Sequence, residues 1–152
     1  MSLSISVKEN RQKLDKNYEL IEHTADIGVR VKAEDLEGLF KNAALAMFDI
    51  IAERGNTENI RAEKIDLKQE AGNLEELFIN WLNELLSLSA TKDLFFSDFK
   101  IHKLDKNNLQ AVAIGESIDN YQVNTEIKAA TYHQLKLEKI GDTWQAEVIF
   151  DV

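Results

Sequence analysis

The chain has no cysteine and no proline among its 152 residues. The first absence excludes a disulfide framework, a zinc-thiolate centre and a thiol nucleophile, and it agrees with a reducing compartment. The second leaves turning to Asn, Asp and the six glycines. No apolar run approaches the length of a membrane span, and the first residues lack the apolar core of a signal peptide. A cytoplasmic protein with no membrane attachment is therefore expected. Neither a Gly-x-Ser-x-Gly elbow nor a phosphate-binding glycine loop is present, so nucleophilic catalysis of the familiar kinds has no support. Positive charge is also scarce: 18 Lys and Arg face 27 Asp and Glu, for a formal net charge of −9. Without a basic run interleaved with aromatics, direct high-affinity nucleic-acid binding is not expected, and any part in RNA chemistry would run through a protein partner.

What is present fits one domain, long enough to bury roughly two thirds of the surface of the unfolded chain. Residues 1–17, rich in Lys, Asn, Ser and Gln, read as a flexible leader, and 18–152 as a single domain. Leu36, Leu39, Phe40, Ala43, Met47, Ile50 and Ile51 recur at helical spacing behind Asp35, a candidate N-cap. A second stripe, Leu74, Leu77, Phe78, Trp81, Leu82, Leu85 and Leu86, opens at Asn73, with Glu76 placed to complete a capping box. Both stripes read as core. Alternating segments predict strands over Glu58–Lys68, Phe95–Leu104, Leu109–Gly115, Tyr121–Ala129, Leu135–Ile140 and Thr143–Phe150. The fold class expected is α+β, a two-layer α/β sandwich whose mostly antiparallel sheet carries two main helices on one face.

Two places could carry chemistry. Tyr18–Val31 reads as strand, polar corner, strand, and the corner crowds Glu22, His23, Thr24 and Asp26 together; by itself it could be a turn in which Thr24 and Asp26 bond nearby backbone. In the last strand, Trp144, Ala146, Val148 and Phe150 alternate toward the core. Asp151 takes the opposite parity beside the carboxylate of Val152, and two anionic groups at one point repel unless a cation or donor compensates them. Lys128 shares a strand face with Gln122, Asn124 and Glu126, where simple solvation is the bland alternative. Buried structural roles are open for Tyr132 and His133.

Four strings in order, Glu22-His-Thr-Ala-Asp-Ile-Gly28, Ala43-Ala-Leu-Ala-Met-Phe48, Lys128-Ala-Ala-Thr-Tyr-His133 and Val148-Ile-Phe-Asp-Val152, make the chain similar to the archease family from Tyr18 onward. The resemblance implies a protein cofactor with no catalytic residues of its own. Its partner would be the tRNA-splicing RNA ligase that joins 2′,3′-cyclic phosphate ends to 5′-hydroxyl ends, whose guanylylation and repeated turnover it would promote. It also implies a divalent cation held by Asp26, Asp151 and Val152. The all-oxygen, anionic set suits Ca²⁺ first, with Mg²⁺ or Mn²⁺ as alternatives. Glu22, His23, Lys128 and His133 would then orient the ligands or belong to the functional surface. A metal-dependent hydrolase and a chaperone-like modulator of another tRNA-modifying enzyme are the competing expectations.

Overall fold

Asp35 and Asn73 begin the two helices in the way their side chains predict. The Asp35 carboxylate accepts from the Gly38 N–H at 2.7 Å and the Asn73 amide oxygen from the Glu76 N–H at 2.8 Å, each satisfying a donor the first helical turn leaves open. Glu76 reaches back one residue further than a capping box requires, to the Gly72 N–H at 3.4 Å. The computed structural model describes residues 18–21, 26–55 and 60–152; the expected leader lies outside them.

In chain order the described elements are β1 (Tyr18–Ile21), β2 (Ile27–Ala33), α1 (Leu36–Ile51), β3 (Ala52–Arg54), β4 (Glu63–Glu70), α2 (Leu74–Lys92), β5 (Leu94–Leu104) and β6 (Asn108–Ser117). A 3₁₀ turn (Ile118–Asn120) then leads to β7 (Tyr121–Val123), β8 (Ala129–Ile140) and β9 (Thr143–Asp151). All strand pairs are antiparallel, so the α+β expectation holds. The strands are shared between a four-stranded sheet ordered β1-β2-β9-β8, a three-stranded sheet ordered β4-β6-β5 and a small β3-β7 ribbon. Both helices pack between and against the two larger sheets.

One contiguous core results. From α1 it takes Leu39, Phe40, Ala43, Met47 and Phe48, from α2 Leu77, Phe78, Trp81 and Leu82, and from the sheets Val29, Phe96, Phe99, Val148 and Phe150. The small side chains at Ala43, Ala44 and Ala46 are buried where α1 approaches β2 and β9, which larger residues would push apart. Ile60, read as part of a strand, is 53% exposed and outside the core; β4 begins only at Glu63.

The segment expected as one strand over Tyr121–Ala129 is divided. β7 stops at Val123, and the N–H groups of Asn124 and Thr125 both donate to the Ile51 carbonyl, at 2.8 and 3.1 Å. That carbonyl is one of those the end of a helix leaves without an internal partner. The chain thus crosses from ribbon to four-stranded sheet by way of the α1 C-terminus. β8 correspondingly starts at Ala129 instead of Leu135, and its register with β9 slips between Thr131 and Lys136. The β8–β9 hairpin closes on Gly141-Asp142, with Gly141 at φ +62°, a conformation glycine adopts without steric cost.

Candidate functional site

Three chain segments meet at one end of the four-stranded sheet. Ile27, the first residue of β2, lies opposite Phe150 of β9, and Gly28 opposite Ile149. Asp26 immediately precedes the first paired residue of β2, and Asp151 immediately follows its partner Phe150, so continuing the antiparallel register by one step would bring the two opposite each other. On the other side of Asp151 lies Ala129 of β8, and the Lys128 N–H donates to the Asp151 carbonyl at 2.7 Å. Two aspartates far apart in sequence thus each adjoin the Ile27–Phe150 pair, and the Lys128 backbone is bonded to one of them.

Burial differs among the described residues of this corner. Phe150 is fully buried and Ile127 nearly so, while Asp151 and Lys128 are exposed and Asp26 is half-buried. This is the parity expected of the last strand: apolar residues inward, Asp151 outward. Glu22 and His23 lie outside the described residues. Among the described residues no group of three or more His, Asp or Glu side chains converges in metal-ligating fashion. Asp26 and Asp151 nonetheless form a donor set that fits a hard cation, since both offer carboxylate oxygens at a solvent-accessible strand end.

A residue that sequence reasoning missed holds this corner in register. The Asn83 side chain, on α2, donates to the Ala130 carbonyl at 3.1 Å and accepts from the Ala130 N–H at 2.8 Å. Its amide takes the place of a neighbouring strand on the free edge of β8, two residues from Lys128. An asparagine in a helix gives no sequence signal of such a role, because the partner backbone is brought there by tertiary structure alone.

Tyr132 and His133 lie in the irregular stretch of β8. Neither is buried: Tyr132 is 56% exposed and His133 is exposed as well, which removes the structural-core alternative for both. The stretch begins where the Thr131 hydroxyl donates to the Ile149 carbonyl at 2.9 Å, and it contains Gln134 at φ +52°. Edge strands often carry such bulges, which re-aim side chains and interrupt pairing with other strands. The Tyr132 phenol pKa is raised by burial and then by the charge of Glu76 on the first turn of α2. His133 therefore belongs to the same exposed edge as Lys128, displaced along β8 from the carboxylate pair.

Residues 18–152 match the Archease protein family (MTH1598/TM1083). Relatives named Protein archease from Methanosarcina acetivorans and Pyrococcus abyssi are each 38% identical over 143 residues, covering 90% of this chain and 97% and 99% of theirs. The solution structure of Methanobacterium thermoautotrophicum protein 1598 superposes with a TM-score of 0.69 at 31% identity, covering 90% of this chain and 99% of that one. The crystal structure of an archease, described as a possible chaperone, from Thermotoga maritima gives 0.62 at 27%, covering 87% and 94%. With the family model spanning the whole described domain, the chain belongs to the archease family.

Proposed function

We propose that this protein activates the tRNA-splicing RNA ligase that joins 2′,3′-cyclic phosphate ends to 5′-hydroxyl ends, promoting guanylylation of the ligase and its multiple turnover. The observation that supports the reading is the β2–β9 register, in which Ile27 pairs with Phe150 so that Asp26 and Asp151 each lie one residue from that pair at a strand end. A cluster of like charge is a costly arrangement unless something positive completes it. Asp26, Asp151 and the Val152 carboxylate would hold a divalent cation, Ca²⁺ in the first instance and Mg²⁺ or Mn²⁺ otherwise. When bound, the cation supplies charge neutralisation and a fixed orientation for the ligating oxygens. The chain's own residues do the rest. Asn83 holds the start of β8 in place, the Lys128 N–H ties the chain to the Asp151 carbonyl, and the bulge would present Tyr132 and His133 to a partner. Glu22 and His23 belong to the same motif and would support the ligands or the functional surface.

The test is a ligation assay with the purified cognate ligase, GTP and Mn²⁺, with and without this protein. Guanylylated ligase and product formed per ligase should both rise when it is added. Unchanged multiple-turnover ligation over a wide concentration range would sink the reading. A metal-dependent hydrolase would turn over substrate in the arm that lacks ligase. The description of the Thermotoga maritima relative as a possible chaperone favours one second reading, a chaperone-like modulator of another tRNA-modifying enzyme. That protein would raise the yield of its folded client without altering the ligase's rate.

A further inference from the structure

The outer face of the β4-β6-β5 sheet departs from the acidic character of the chain. Register and burial divide the three strands cleanly. Ile65, Ala113 and Phe99 form one inward row, Leu67, Ala111 and Ile101 the next. The residues between them face outward in rows of their own: Lys64 with Ile114, Asp66 with Val112 and Lys100, and Lys68 with Gln110 and Lys103. His102, left over at the register shift in β5, joins Lys68, Gln110 and Asp66 around a shallow depression. All four lysines, His102 and Gln110 are exposed, and the helices pack on the opposite side of the sheet.

Four carboxylates border the face, and two are already engaged. Asp105, close to Lys103, accepts from the Asn107 and Asn108 N–H groups at 2.9 and 2.8 Å. Asp98, at the sheet edge, is drawn to Lys41 of α1 at 3.2 Å and accepts from the Phe99 N–H. Asp66 and Glu70 remain against four lysines and an imidazole. In a protein with a net charge of −9 this is a positive surface, assembled from alternate positions of two strands so that no linear basic run announces it.

We propose that this face binds the phosphate backbone of RNA, weakly and without sequence preference. Charge complementarity selects a polyanion, and the residue types select which one. The rows lack an aromatic or arginine, so there is no platform for stacking bases and no fork for reading base edges. They also lack the aromatic or arginine anchor that concentrates binding energy in a protein interface, and the central Val112 and Ile114 are half-buried between polar neighbours. What remains is a set of point charges about 7 to 14 Å apart on a flat antiparallel sheet, suited to several phosphates of one strand. The inference concerns RNA alone and stands or falls independently of ligase activation.

The experiment is fluorescence anisotropy with a labelled single-stranded RNA oligonucleotide, in EDTA so that no cation bridges RNA to the Asp26 corner. With four lysines engaged, affinity should fall roughly 50-fold between about 50 and 200 mM salt. The variant Lys64→Gln, Lys68→Gln, Lys100→Gln, Lys103→Gln should lose both the binding and its salt dependence. A control, Lys32→Gln, Lys92→Gln, Lys136→Gln, Lys139→Gln, carries the same net charge and should bind as the parent does. The pair Lys68→Gln, Lys103→Gln should halve the salt slope, an intermediate effect that misfolding would not produce. No binding at the lowest salt, or equal losses in the four-lysine variant and its control, would overturn the proposal. So would tighter binding to polyglutamate than to RNA of equal charge, which would assign the face to an acidic protein segment.

Discussion

Trp81 joins three elements through one side chain. It is fully buried in α2, its ring meets Phe99 of β5 edge-on at 5.6 Å, and its indole N–H donates to the Phe40 carbonyl of α1 at 2.9 Å. Truncation to alanine removes the ring and leaves a cavity, and that buried carbonyl loses this donor. Trp81→Ala should therefore cost about 3 to 5 kcal/mol, read as a steep fall in the denaturant midpoint of unfolding. An unchanged midpoint accompanied by lost ligase activation would make the ring part of a partner surface instead. The burial of Trp81 was legible because a helical apolar period reports which way a side chain points. Asn83, two positions on, was not: its pair of hydrogen bonds with Ala130 spans 47 residues, and periodicity carries no information about which backbone lies opposite.

Among the elements, the β3–β7 ribbon has the least core of its own and depends on a polar clamp. Arg54 of β3 reaches Glu116 of β6, with one nitrogen 2.8 and 3.1 Å from the two carboxylate oxygens, although Glu116 is only 3% exposed. Tyr121 of β7 stacks on Phe95 with ring centres 3.8 Å apart, and its hydroxyl accepts from Arg54 at 3.4 Å. Burial, and after it Glu116, push the Tyr121 phenol above its ordinary pKa of 10.0 against the opposing charge of Arg54. A raised folded-state value means that the native protein keeps this proton where the unfolded chain has lost it. The contribution is thus complete below about pH 10 and declines as pH rises beyond that. Unfolding midpoints measured between neutral pH and strong alkali should fall less steeply for Tyr121→Phe than for the parent. Parallel curves would mean that the phenol titrates as it does in the unfolded chain. Elements with a long period were readable in this way of reasoning, as both helices and β9 illustrate. Short β7, and the point at which the chain changes sheets, were not, because alternation looks the same whether a strand pairs with one neighbour or leaves it for another.

At the scale of the molecule, β9 runs between β2 and β8, and Asp26 and Asp151 each adjoin its Ile27–Phe150 pairing with β2. Asp26→Ala and Asp151→Ala lie outside the apolar face of their segments, so each should leave the unfolding midpoint nearly unchanged. Each should sharply reduce ligase activation, and the double variant should be little worse than the poorer single one, because groups that share one ion act as a unit. Losses that multiplied would point to two separate contributions at the partner interface. Asp26 and Asp151 stand out through the family's motifs, whereas the lysine face has no such signal, since its members alternate with other residues on β4 and β5. The central position of β9 also bears on synthesis. A ribosome must deliver residues 143–151 before β2 and β8 gain the neighbour they share, so a nascent chain halted short of them exposes unpaired backbone groups along both strands. Chains released before these residues are added would leave those edges open to proteases and to pairing with strands of other molecules.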